Sequence, residues 1–221
     1  MKTLTLIEKI AYGSLMSIFA FGIYFSNTDT FYFENVYVKE DGFVEYGTAL
    51  FLCCSSILLL YRLVKLYKFK KPLWMLGMFV IALVFIFGSG EEISWGQRIF
   101  NIESSEYFLQ NNAQGETNLH NMVVDGKKIN KIIFSQLLTI VLIIYLIITP
   151  FIYRKFEFIK NLANMFAVPI VKWHQTIAFL TSTVLVAVMA SEKKWELYEL
   201  AFSVIFLLIF LNPLNKAIYE K

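Results

Sequence analysis

Six blocks of apolar residues alternate with short polar stretches along the chain, at about 9–26, 43–65, 72–90, 131–153, 173–190 and 195–214. A helix needs about 20 mainly apolar residues to cross a bilayer core, and each block approaches or exceeds that length. The first, "KIAYGSLMSIFAFGIYFS", has the position of a signal peptide. It lacks a small-x-small cleavage site and its apolar part is long and aromatic, so it reads as a retained span. The fifth follows "NMFAVPIVKW", where Pro169 and Lys172 suggest an interfacial start that turns inward. The pattern therefore predicts an all-α polytopic transmembrane bundle of about six spans. It forms one integral membrane domain over residues 1–221, with a short amphipathic helix in the 100–125 segment.

Composition agrees with this. The chain is 57% hydrophobic and 17% charged, against about 45–50% and roughly 25% for a soluble domain. Cys53 and Cys54 are adjacent and fall inside the second block, where they read as reduced packing residues rather than a disulfide or metal motif.

Charge then sets an orientation. The connector "YRLVKLYKFKKP" carries Arg62, Lys65, Lys68, Lys70 and Lys71 with no acid, and short basic loops stay in the cytoplasm. Six spans place both termini on that side, in a bacterial inner membrane. Of the 17 acids, only Glu8, Glu157 and Glu220 then lie inside. Simple solvation of outer loops accounts for Asp29, Glu34, Glu103, Glu106 and Asp125, but poorly for acids within the spans. Asp41 and Glu45 share a face at the mouth of the second block, and Glu192, Glu196 and Glu199 follow at i, i+4, i+7 at the mouth of the last. Ionisable groups at such positions usually mark a site.

The densest polar run, "GEEISWGQRIF" at 90–100, follows directly on an uncharged apolar stretch. If the third helix continues through it, Glu91, Ser94, Trp95 and Arg98 share one face. Gly96 then permits close approach of a neighbouring helix. Arg98 is the expected counter-charge for Glu91 or Glu92. Two adjacent carboxylates can divide into one ionised and one protonated group, as acid–base chemistry requires, or form a static ion-pair lock. Beyond it, "NIESSEYFLQNN" is an amphipathic stretch capped by Ser104 or Ser105. "AQGETNLHNMVV" follows, with Glu116 and His120 at i, i+4 if helical. His120, the single histidine on that side, is a candidate proton carrier.

"EEISWGQR", "QGETNLHN" and "EDGFVEYGTAL" together resemble a family of small polytopic bacterial membrane proteins to which no activity is attached. The arrangement is also loosely similar to seven-helix ceramidase-like membrane hydrolases. It departs from them in having about six spans and no set of three histidines.

Glycine-rich phosphate loops, nucleophile elbows and H-E-x-x-H motifs are absent from the sequence, so no cofactor and no metal are expected. The basic cluster at 62–71 suits anionic lipid better than nucleic acid. The expected site comprises Glu91, Glu92 and His120 as acid–base groups. Ser94, Trp95, Gln97, Arg98, Glu116, Asn118, Asn121, Glu45, Glu196 and Glu199 are the expected ligand contacts. Three functions suit such a pocket: binding or modifying a lipid or lipid-linked substrate, docking another membrane or envelope protein, or carrying protons or cations. A carrier also needs a polar path inward, and the inner halves of the blocks are nearly free of ionisable residues.

Overall fold

The computed structural model describes residues 4–124, 127–128 and 137–221. Helix α1 (Leu6–Thr28) starts where Thr5 and Glu8 form a reciprocal capping box. That is three residues before the apolar block begins, because the cap satisfies donors that would otherwise be orphaned. Asp29 stops α1 and caps a short turn by accepting from the Tyr32 N–H at 2.9 Å. Helix α2 (Phe43–Leu66) and α3 (Pro72–Glu92) follow, with Pro72 at the first position of α3, where its missing N–H costs nothing. Next come the short α4 (Glu106–Asn111) and an antiparallel ribbon of two residues a side, Val123–Val124 with Lys127–Lys128.

Helix α5 (Leu138–Lys155) contains a π-helical stretch at Ile144–Ile148. The first six residues of the fourth apolar block, 131–136, and the acid at 125 lie outside the described residues. Helices α6 (Glu157–Met165), α7 (Trp173–Ala187) and α8 (Lys194–Leu211) complete the chain.

The core explains why the last block is so uniformly apolar. Leu197, Ala201, Ile205, Leu208 and Ile209 are all buried on α8, and a helix that is apolar all round belongs at the centre of a bundle. Helices α2 and α3 pack beside it. Two hydroxyls tie them, Ser56 to the Ala82 carbonyl and Ser89 to the Ala49 carbonyl, both at 2.8 Å. Gly77 allows α3 to run against the Phe166 carbonyl, where a β-carbon would stand only 1.9 Å from that oxygen.

The outer faces are apolar too. Ile10 and Phe21 on α1, Ile177, Leu180 and Val184 on α7, and Val188 just after it are exposed. Continuous apolar surface on this scale suits lipid rather than water. Among the described residues, four helices have the length and composition of membrane spans: α1, α2, α3 and α5. Helix α7 has 15 residues, about 22 Å at 1.5 Å per residue, short of a hydrocarbon core about 30 Å thick. Helix α8 carries Lys194, Glu196 and Glu199 in its first two turns. The protein is thus a predominantly helical membrane protein in plan.

The bundle has two chemically distinct ends. At one, the start of α2, the end of α3 and the start of α8 meet around carboxylates. At the other, the Arg62 guanidinium caps the end of α8 by donating to the carbonyls of Phe210 and Leu211.

Candidate functional site

Helix α3 does not continue through "EEISWGQR". It stops at Glu92, and Ser94, Trp95 and Gly96 follow with φ of 45°, 55° and 78°. Three successive left-handed residues reverse the chain, so Glu91, Ser94, Trp95 and Arg98 do not share a helical face as their spacing suggests. Gly96 serves this turn rather than a helix–helix contact. Left-handed backbone costs a residue with a β-carbon roughly 1–2 kcal/mol, so Ser94 and Trp95 need compensation. Ser94 donates to Glu116 Oε2 at 2.6 Å and accepts from Asn118 Nδ2 at 2.9 Å. The Trp95 indole folds back over Gly90 and donates to Glu91 Oε1 at 2.8 Å.

Arg98 also differs from expectation. Its partners are Asp41 at 3.0 Å, Glu45 at 2.8 Å and Glu116 at 2.6 Å, rather than Glu91 or Glu92. Asp41 stands before α2 with φ 56°, and its backbone N–H is accepted by Glu45 Oε2 at 2.5 Å. The guanidinium therefore joins the start of α2, the segment after α3 and the loop at 116. Burial works against its charge, but Glu116, Glu45, Asp41 and Glu40 outweigh that and hold it above its ordinary value.

The 112–121 segment is a loop, so Glu116 and His120 are not helical neighbours. Asn112 organises it. Its Oδ1 accepts from the N–H groups of Gln114 and Glu116, and its Nδ2 donates to the Asn118 carbonyl and side chain. One residue of the last turn of α3 and one just past the reversal hold this loop. Glu91 Oε2 accepts the N–H groups of Leu119 at 2.7 Å and His120 at 2.9 Å. Gln97 accepts from the Thr117 N–H at 2.7 Å and donates to Ser104 at 2.6 Å. Ser105 is the residue preceding α4.

Between this loop and the helix ends lies a cavity of 170 Å³. Glu45 reaches it from α2, Glu91 and Glu92 from α3, and Glu196 and Glu199 from α8. Glu116, Asn118, His120 and Asn121 close it from the loop side. Ser94, Trp95, Gln97 and Arg98 do not line it; they form the scaffold behind. Trp95 is 52% exposed at the rim of this end.

Four lining residues escaped the sequence reading: Val38, Glu40, Gln114 and Lys193. Lys193 was detectable, since it stands three residues before Glu196. Helix α8 begins at Lys194, which leaves Glu192 outside the helix and exposed, so the stripe of Glu192, Glu196 and Glu199 does not form.

The charges do not balance. Arg98 offsets Glu45 and Glu116, and Glu91 is held by three N–H donors. Glu92, Glu196 and Glu199 have only Lys193 as a cationic side chain in the lining. Burial keeps the His120 imidazole below its ordinary value, against the pull of Glu91 and Glu116, so it is neutral at pH 7. Among the described residues no group of three His, Cys, Asp or Glu side chains is arranged to hold a metal ion. No protein-family model matches this chain, and neither a curated protein nor a solved structure is similar to it.

Proposed function

We propose that this protein binds the cationic head of a lipid or lipid-linked ligand in the carboxylate cavity. It is read as a multi-pass protein of about six spans in a bacterial cytoplasmic membrane, with both termini inside and the cavity opening outward. On this reading it belongs with the membrane-protein family whose motifs it resembles. The observation that carries the proposal is the surplus of acid: seven glutamates line the cavity beside one lysine. Surplus carboxylates in a half-dry recess are neutralised by protons or by a cation.

Size narrows the ligand. A volume of 170 Å³ is below the roughly 300–1,000 Å³ of sites that enclose whole drug-sized molecules. It suits an ammonium headgroup whose tails stay in the bilayer. Glu92, Glu196 and Glu199 are the anionic contacts. Glu91, with both oxygens engaged, positions the loop. If chemistry follows binding, Glu92 and His120 are the acid–base groups, since a neutral imidazole can accept a proton.

Full-length protein in nanodiscs tests this, using ethanolamine and choline phospholipids against diacylglycerol. Native mass spectrometry should show retention of the ammonium lipids. In Glu92→Gln/Glu199→Gln that retention should fall about tenfold, the worth of a charge-assisted contact. Equal retention of diacylglycerol, or no loss in the variant, overturns the reading. Headgroup turnover that disappears in His120→Gln distinguishes modification from binding.

A further inference from the structure

The opposite end of the bundle carries a second ligand-sized feature, independent of the carboxylate cavity. A groove of 490 Å³ runs between the end of α2 and the start of α3, lined by Leu63, Val64 and Tyr67 on one wall and Met75, Leu76 and Phe79 on the other. Both walls repeat the spacing i, i+1, i+4, which places three side chains on one face of each helix. Leu63 and Met75 pack against the core and form the floor. Val64, Tyr67, Leu76 and Phe79 are exposed walls. An acyl chain suits such a surface.

The groove ends at the connector "KFKK", which contains no acid. Its lysines are not equivalent. Lys70 donates to the Glu220 carbonyl at 2.6 Å, and Lys65, just before the connector on α2, to the Tyr61 hydroxyl at 3.3 Å. Lys68 instead stands 5.7 Å from the centre of the Tyr67 ring, directly over a groove wall. Lys71 is the residue before α3. Pro72 takes the first helical position, so the positive end of a 21-residue helix faces the same place. Apolar walls thus lead to a cluster of positive charge at one membrane face.

We infer that this groove binds an anionic phospholipid, one acyl chain between α2 and α3 and its phosphate against Lys68, Lys71 and the start of α3. Charge complementarity selects this occupant over a zwitterionic lipid: each basic group near a membrane surface favours anionic headgroups about fivefold. A second helix in the groove would leave these ammonium groups without a counter-charge.

The test uses the full chain in nanodiscs of phosphatidylcholine with or without phosphatidylglycerol, read by native mass spectrometry after release into detergent. Wild type should retain one phosphatidylglycerol in preference to phosphatidylcholine. Lys68→Gln/Lys71→Gln should lower that preference about thirtyfold and leave the Tm in pure phosphatidylcholine unchanged. Leu76→Trp, which fills the groove, should abolish retention with the lysines intact. Inorganic phosphate should not compete, because it lacks the chain. Equal retention of the two lipids by wild type, undiminished preference in the double-lysine variant, or displacement by phosphate overturns the assignment.

Discussion

The two ends of this bundle both bury carboxylates, and they treat them differently. At the end formed by the starts of α1 and α7 and the finish of α8, Glu8 is 2% exposed and fully partnered. It accepts from the Thr5 N–H and from Asn212 Nδ2 at 2.9 Å, and His174 stands 3.6 Å away. The Tyr12 hydroxyl hydrogen-bonds the other ring nitrogen, Nδ1, at 2.9 Å. Asn215 nearby joins Asn164, Val168 and Ile170. This is a polar lock of the kind that specifies how helices meet. At the other end, Asp41, Glu45, Glu91 and Glu116 are partnered just as closely. Glu92, Glu196 and Glu199 remain around a cavity. The contrast separates acids held by hydrogen bonds and ion pairs from acids that line a cavity.

Removing Arg98 should break the comparison most severely. Arg98→Met leaves Asp41, Glu45 and Glu116 facing one another, and stripping the shared partner from this half-buried ion cluster costs about 2 kcal/mol or more, less than for a fully buried one. Thermal unfolding in detergent should show a fall in Tm far larger than for any single cavity acid. Arg98→Lys should recover only part of it, because an ammonium cannot serve three carboxylates with a planar fork.

Next in size is a pair of opposite effects. Glu8→Gln should lower stability by about 2 kcal/mol, the worth of hydrogen bonds to a charged acceptor. Glu199→Gln should leave the stability of ligand-free protein unchanged or raise it, since it removes surplus like charge. Equal losses from both would erase the distinction between lock and site.

The smallest effect concerns pH. His120 is below its ordinary 6.5 in the folded protein, so the unfolded chain takes up this proton first as pH falls. The contribution of the neutral imidazole to stability is therefore complete above that value. It is lost progressively below it, until the folded group also protonates. His120→Gln should flatten the Tm profile between about pH 7 and about pH 5. An unaltered profile would mean that another group controls the acid limb.

Helix positions were legible because burial and length are written locally. Expected limits of 43–65 and 72–90 became Phe43–Leu66 and Pro72–Glu92. The convergence of acids from α2, α3 and α8 was legible in the same way, since each stands at a helix end. The reversal at Ser94–Gly96 was not. "EEISWGQR" satisfies a helical reading at every position, and the bonds that favour the left-handed turn come from Glu116 and Asn118, more than twenty residues away. Arg98's partners were hidden for the same reason: two lie near the start of α2 and one in the loop, none within reach on its own helix.

The way the 112–121 loop is suspended also governs which of its positions can vary. Glu91 and Gln97 grip it through main-chain amides at 117, 119 and 120, which any residue except proline supplies. The amide contacts at 119 and 120 survive a change of side chain there, whereas Thr117 also bonds Ser104 through its hydroxyl at 3.1 Å. Positions 91 and 97 supply the acceptors themselves. Ser94, Asn112, Glu116 and Asn118 interlock largely through their side chains, so a change at one requires an answering change at another. Diversity in ligand preference would therefore accumulate at 120 and 121, which line the cavity, on a frame whose other members can mutate only in concert.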